Sequence, residues 1–416
     1  EHDENIHGEV NSFDILVANP PYRVDAFNTY ESRKVQNAYE TIKLMSFSCG
    51  DIQNVFIERM HNLLKPRGIA AIVMPSSLLS NTEAADLKTR EILLHNFQIR
   101  CIANFGEKTF GKTSTNTIIL FLEHFDFPPY KSKLLKDSAT AIVSGEKLED
   151  WDDSVLFDEY LKTIETEKDA YIKFVSETES LFENTFVPYF KEYETAFRNQ
   201  ASTKKALGKI LETERKEKAS KTLKKNEKSS AEQKQLLSNE FFEWVKKIEE
   251  DKLLIFALTY KQKTLIITAP TDTNEQKRFL GYTSSERRGS EGLIETDGLL
   301  TNISDRNDKQ KLAWSVRCAF DDKQCINGEL EKYAKYVQTS DMLDFNKSSF
   351  DMQIKLTADK KIVIESKYQL VNLGSIAEVL KGKSITSSQT KKGNVKVVAG
   401  GIDYAYTHNE SNRPAN

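Results

Sequence analysis

The residues with the clearest chemical potential are Asn19-Pro20-Pro21-Tyr22. An exocyclic amine on a nucleobase is a poor nucleophile, because its lone pair is delocalised into the ring. Two acceptors, one on each N–H, draw the nitrogen toward tetrahedral geometry and localise that lone pair. The Asn19 side-chain oxygen is one such acceptor and the Pro20 backbone carbonyl the other. Two prolines in succession fix φ at both positions, so the carbonyl is held rather than mobile. Tyr22 offers an aromatic face on which an extruded base can stack, a contact of about 1–3 kcal/mol per base. The amine can then attack an activated methyl group in line, with no covalent enzyme intermediate. This is catalysis by positioning and electrostatics on a base flipped out of the duplex. A second Pro-Pro-Tyr, in Phe127-Pro128-Pro129-Tyr130, lacks the asparagine and reads as an extended connector.

Such a turn needs a rigid element in front of it. Phe13 to Ala18 is an apolar run without polar alternation, the pattern of a buried parallel strand. Helical spacing follows over Asp51 to Leu64, with Asp51 as N-cap. Ile69 to Met74 reads as a second buried strand, Glu83 to Leu94 as a helix, and Gln98–Phe105 and Asn116–Glu123 as two strands joined by a polar loop. This order predicts an α/β sheet, in which chemistry collects at the carboxyl ends of the strands. Asn19 stands at such an end. From about Lys131 to Glu250, Lys and Glu dominate, and Ala201 to Gln235 reads as a solvated helical arm or mobile linker. Leu253–Leu258 and Thr264–Thr268 read as a strand pair, the stretch to about Phe345 as helical, and the segment from Tyr368 on as short strands with glycine turns.

Composition narrows the class. A chain of 416 residues with 39% hydrophobic and 29% charged residues is long enough for two or three domains and a sizeable core. A formal charge of -3 gives no global sign of a nucleic-acid partner, so any basic surface is local. No apolar run reaches membrane-spanning length. The 4 cysteines are scattered and form no CxxC pair, and the 6 histidines have no ligand spacing, so no metal site is expected. These features predict a cytoplasmic protein.

A competing motif is Gly106-Glu107-Lys108-Thr109-Phe110-Gly111-Lys112-Thr113, which matches the phosphate-binding loop pattern G-x-x-x-x-G-K-T. That loop works only if a helix starts directly after it, with its N-terminus toward the phosphates. The residues from Thr117 to Leu122 are instead apolar and partly β-branched, which disfavours an NTPase. Arg287, Arg288, Lys381 and Lys383 are candidate phosphate contacts, although a solvated turn and an exposed basic surface explain them equally well.

Phe-Asp-Ile-Leu-Val-Ala-Asn-Pro-Pro-Tyr, residues 13–22, resembles the catalytic motif of the amino-group DNA methyltransferases of the N6-adenine type. Leu63 to Pro75 resembles the helix–strand unit that follows in that family, and the pair 98–105 and 116–123 its terminal β-hairpin. Leu253–Gly292 is similar to the methylase part of type I and type IIG-like restriction-modification proteins. Leu373–Ser384 and Val398–Ile402 resemble the opening of a type I target recognition domain. The resemblance implies the C-terminal half of a Rossmann-like methyltransferase sheet with a β-hairpin, a helical charged insert and the start of an α+β recognition domain. The corresponding divisions are residues 1–130, 131–250, 251–360 and 361–416.

It also implies roles. Asn19 and Pro20 polarise the adenine amine, Pro21 fixes the turn, Tyr22 stacks on the base, and Phe110 is a second wall. S-adenosylmethionine is the implied donor and double-stranded DNA the implied partner. The motif favours adenine N6 over cytosine N4. In the family the donor sits at a Gly-rich turn ahead of this motif, and the twelve residues before Phe13 hold no such element. The expectation is therefore an internal portion of a larger modification enzyme, inactive alone. The alternative is a non-catalytic DNA-binding or scaffold segment on an inherited methylase fold.

Overall fold

The computed structural model describes residues 10–22, 39–44, 52–106, 116–126, 129–144, 155–176, 180–182, 186–219, 228–284, 293–295, 298–356, 367, 385, 387–398 and 404–411. The chain divides into two compact units, Glu1–Asp359 and Lys360–Asn416. The first opens with β1 (Phe13–Ala18), α1 (Glu40–Leu44), α2 (Gln53–Leu63), β2 (Leu64–Pro75), α3 (Ala84–Asn96), β3 (Phe97–Gly106) and β4 (Thr117–His124). Six helices follow: α4 (Pro129–Val143), α5 (Leu156–Thr163), α6 (Lys168–Ser176), α7 (Pro188–Asn199), α8 (Ala201–Lys218) and α9 (Ser230–Thr259). Then come β5 (Lys263–Thr268), α10 (Thr273–Leu280), β6 (Tyr282–Ser284), β7 (Leu293–Glu295), α11 (Leu312–Phe320) and β8 (Ala334–Gln338). In the second unit, β9 (Val395–Val398) and β10 (Tyr404–His408) pair antiparallel.

The main sheet has six strands in the order β1-β2-β4-β3-β5-β8. β1 runs parallel to β2 and β3 parallel to β5, while the β2–β4, β4–β3 and β5–β8 pairs are antiparallel. The mixed sheet follows from the connections. A helix lies between β1 and β2 and another between β2 and β3, which allows parallel direction. β3 and β4 are joined by a hairpin and must be antiparallel.

One face of the sheet is covered by α2, α3 and the long helical layer, burying Ala70, Ile72, Met74, Ile102, Leu120 and Ile266 in one core. The other face has a smaller core over β3 and β5, where Cys101, Ala103, Leu265 and Ile267 meet Phe279, Leu312 and Ala319. This smaller core does not reach β1. Phe13, Ile15 and Val17 point to one side and are 36%, 62% and 79% exposed. The expectation of a buried β1 is therefore corrected. The strand is parallel, but it lies at the sheet edge with a cover on one face only.

Three further expectations change. Leu253–Leu258 is the last part of α9, not a strand. Its apolar residues occupy the helix face turned to the core, with Leu253, Ile255, Phe256 and Leu258 buried. A short apolar run fits either period, and the 30-residue helix around it decides. Pro129 and Tyr130 open α4 rather than continuing an extended connector, since proline is well suited to the first helical turn. Among the described residues, the stretch to Phe345 holds two short α-helices, α10 and α11, two 3-10 turns, the β6–β7 pair and β8, which closes the far sheet edge. Asp51 lies outside the described residues, and Ile52 precedes α2.

The helical layer is held by a buried charge. Glu249 on α9 is fully buried and accepts hydrogen bonds from four phenols. Tyr160 (2.7 Å) and Tyr171 (2.8 Å) reach Oε2, and Tyr189 (2.6 Å) and Tyr193 reach Oε1. Lys252, one turn on and also fully buried, donates to Tyr189 (2.8 Å) and Tyr193 (2.6 Å) and lies 4.9 Å from both ring centroids. Burial, then the Glu249 charge, hold all four phenols well above their ordinary range. One carboxylate thus ties α5, α6 and α7 to α9. Glu249→Ala removes the acceptor and strands a buried ammonium. The expected loss is about 3–5 kcal/mol in denaturant unfolding. A loss below about 1 kcal/mol would contradict the assignment.

A half-buried histidine pair sits under the β2–β4 end of the sheet. His124 Nδ1 lies 3.2 Å from the Phe125 carbonyl and donates to it, so His124 Nε2 accepts from His61 Nδ1 at 2.9 Å. Burial first, then His124, push His61 down to about 4, and Glu58 opposes the shift. Burial also lowers His124. Both folded values lie below the unfolded value of about 6.5. Their stabilisation is therefore complete above that value and is lost as pH falls toward the folded values. Urea unfolding is expected to show declining stability from about pH 6.5 to about 5; a flat profile there would rule the pair out as its source.

Candidate active site

β1 ends where its hydrogen bonding must end. Its register with β2 runs to Ala18↔Ile72, and the following Pro20 and Pro21 have no N–H to continue a ladder. The start of β1 is seated by Gly68, where an added Cβ would stand 3.1 Å from the Phe13 carbonyl and 2.9 Å from both Leu64 Cδ2 and the Lys65 carbonyl. Backbone bonds from Asn11 and Ser12 to the Asn62 and Leu63 carbonyls, each 3.0 Å, join β1 to the end of α2. α2 therefore runs back against β1, and its first turn lies toward the carboxyl end of the strand, beside the Asn19–Tyr22 turn. α3 starts at the same end, after β2.

Within the turn, Pro20 is buried while Asn19 and Pro21 are exposed. The Asn19 amide makes no hydrogen bond among the described residues and is free to accept one from outside. Tyr22 is half-buried. Its hydroxyl is fully enclosed with no hydrogen-bond partner, and burial pushes the phenol up to about 12. The ring is thus anchored at its tip.

A polar network that no sequence spacing indicates joins α1, α2 and α3. Glu58 on α2 accepts from the Glu40 N–H (2.8 Å), the Thr41 N–H (3.0 Å) and the Thr41 hydroxyl (2.6 Å), which seats α1. Lys88 on α3 pairs with Glu40 at 2.7 Å. Asn54 donates to Asp86 Oδ1 at 2.8 Å, joining the first turns of α2 and α3. These partners are 17 to 48 positions apart in the chain (40 to 88 at most), so only folding pairs them.

Of the other sequence candidates, Phe110, Arg287, Arg288, Lys381 and Lys383 lie outside the described residues, as do residues 107–115 of the G-x-x-x-x-G-K-T motif. Gly106 closes β3 with φ 72°, and Gly106 pairs with Thr117 of β4. The element after the motif is a strand, the feature that disfavours the NTPase reading. S-adenosylmethionine is not accommodated by the residues described. No glycine-rich turn among them adjoins the outer edge of β1.

The first strand of the parallel β–α–β unit thus runs into an exposed asparagine and a buried proline. Residues 2–200 match the model of the N-6 DNA Methylase family. The chain is 29% identical over 128 residues to the type II restriction enzyme and methyltransferase RM.Eco57I of Escherichia coli, a match covering 30% of this chain and 13% of that protein. Among solved structures, it is similar to a type I restriction-modification system (25% identity, TM-score 0.24, 29% of this chain and 23% of the other). It is also similar to the EcoKI M protein (19%, TM-score 0.19, 27% and 20%). A third is the type I methyltransferase subunit of Streptococcus thermophilus (21%, TM-score 0.23, 27% and 24%).

The enclosed Tyr22 hydroxyl gives a direct test. Tyr22→Phe removes an unpartnered polar atom and keeps the ring, so thermal unfolding is expected to show a gain of about 1 kcal/mol. A loss of that size would mean that the hydroxyl has a partner.

Proposed function

We propose that residues 13–22 form the amine-activating element of an adenine-specific DNA methyltransferase belonging to a restriction-modification enzyme. The observation that carries this reading is the exposed, unengaged Asn19 amide next to the proline-held carbonyl of Pro20, at the carboxyl end of a parallel strand. An amino group placed there donates one N–H to Asn19 Oδ1 and the other to the Pro20 carbonyl. Both acceptors are in place before the amine arrives, so little reorganisation accompanies charge development. Tyr22 supports the flipped base by stacking, and Phe110 forms a second wall.

S-adenosylmethionine supplies the methyl group in this reading. Its binding residues lie outside those described, and the open edge of β1 beside Asn19 supports a donor site completed there. Double-stranded DNA is the substrate, with Arg287, Arg288, Lys381 and Lys383 as phosphate contacts. Residues 361–416 begin a target recognition domain, and the enzyme works in the cytoplasm.

The test is Asn19→Ala in the enzyme that contains these residues. Transfer of labelled methyl groups to duplex DNA should fall at least about 100-fold, with DNA affinity unchanged. Retained transfer would sink the assignment. So would methylated cytosine, rather than N6-methyladenine, in the digested product.

A further inference from the structure

The charge balance of α8 changes once its acids are followed to their partners. By sequence the helix carries six basic and three acidic residues, interleaved, and reads as a solvated arm. In the fold, Glu212 pairs with Lys216 at 3.0 Å, and Glu214 pairs with Lys234 of α9 at 2.8 Å. Glu217 accepts from the Ser230 N–H at 2.9 Å and from the Ser230 hydroxyl, at the start of α9. All three acids of α8 are therefore consumed within the helix or against α9. Lys204, Lys205, Arg215 and Lys218 are exposed and have no acidic partner among the described residues.

Helical spacing places Lys204, Arg215 and Lys218 in one line, with Lys205 beside it about 100° further around the helix. Thr203, Ile210 and Thr213 form the buried side of α8. Positions 204, 208, 211, 215 and 218 follow one another at intervals of three and four and share the opposite side. The line from Lys204 to Lys218 is about 21 Å long at 1.5 Å per residue. At its centre is Gly208, exposed, with nothing within 4 Å of an added Cβ. A glycine inside an exposed helix is destabilising relative to alanine, and packing gives no reason for it here. It leaves a flat place between the cations where another backbone can come close.

We propose that the outer face of α8 is a contact surface for the phosphate backbone of double-stranded DNA, read without regard to sequence. A row of unpaired cations along one helix is the electrostatic footprint of nucleic acid. Leu211 is the sole large apolar side chain on the row, too little to insert into a membrane or to centre a protein interface. The proposal extends the DNA reading above to new residues and does not involve Asn19 or a methyl donor.

The test measures binding of the full chain to a labelled duplex of about 30 base pairs and arbitrary sequence, without donor, across a salt series of about 50–200 mM. In K204A/K205A/R215A/K218A, affinity should fall at least about tenfold, and the slope of log K against log salt should become shallower by roughly 3–4. Alanine is a strong helix former, so the circular dichroism of the variant should match the wild type. Gly208→Glu, which fits open space, should weaken binding on its own. Equal affinity and slope in the quadruple variant would overturn the proposal. So would the absence of duplex binding by the wild type, or tighter binding to phosphatidylserine vesicles or polyglutamate that the same four substitutions abolish.

Discussion

The parallel pairing of β1 with β2 is the constraint on which the site depends. It holds Asn19 at the end of a strand whose other neighbours are fixed by the sheet, and it stops at Ala18 because the prolines that follow carry no N–H. The same prolines that end the ladder hold the Pro20 carbonyl. In the proposed reading a strand terminator and an acceptor for an amine are thus one feature, at a turn where Asn19 is exposed. Gly68 and the bonds from Asn11 and Ser12 to α2 seat the strand closely enough for this to hold.

Around that unit the molecule is asymmetric. The sheet face toward the helices is fully covered and anchored by Glu249, whose charge is balanced by Lys252 and hydrogen-bonded by four tyrosines. The other face is covered over β3 and β5 but open at β1. Rigidity is concentrated on the side away from the free strand edge, while Asn19 and the apolar residues of β1 remain accessible. The same contrast holds in α8, where the side facing α9 uses up the acids and the outer side keeps the cations.

Much of the first 130 residues was legible because its signals are local. Apolar runs bounded by proline or glycine marked β1, β2, β3 and β4, and regular spacing marked α2 and α3 to within a few residues. The signals failed where local patterns are ambiguous. Leu253–Leu258 has the composition of a strand, yet it completes a helix that begins with the Ser229–Glu232 capping box. Pro129 could have ended a segment or begun one, and it begins α4. The burial of β1 was misread because an apolar run shows that a strand can be buried, not that something covers it.

The sequence by itself determined the chemistry of the turn, since asparagine, two prolines and a tyrosine in succession carry their acceptor, their rigidity and their ring in covalent order. Tertiary structure decided everything that depends on partners distant in the chain. It enclosed the Tyr22 hydroxyl, brought Glu58 to Thr41 and Glu249 to four phenols, and drew Glu214 and Glu217 of α8 to α9. Hydrogen bonds and ion pairs act over a few ångströms of space, and sequence spacing reports that distance only within a single helix or strand.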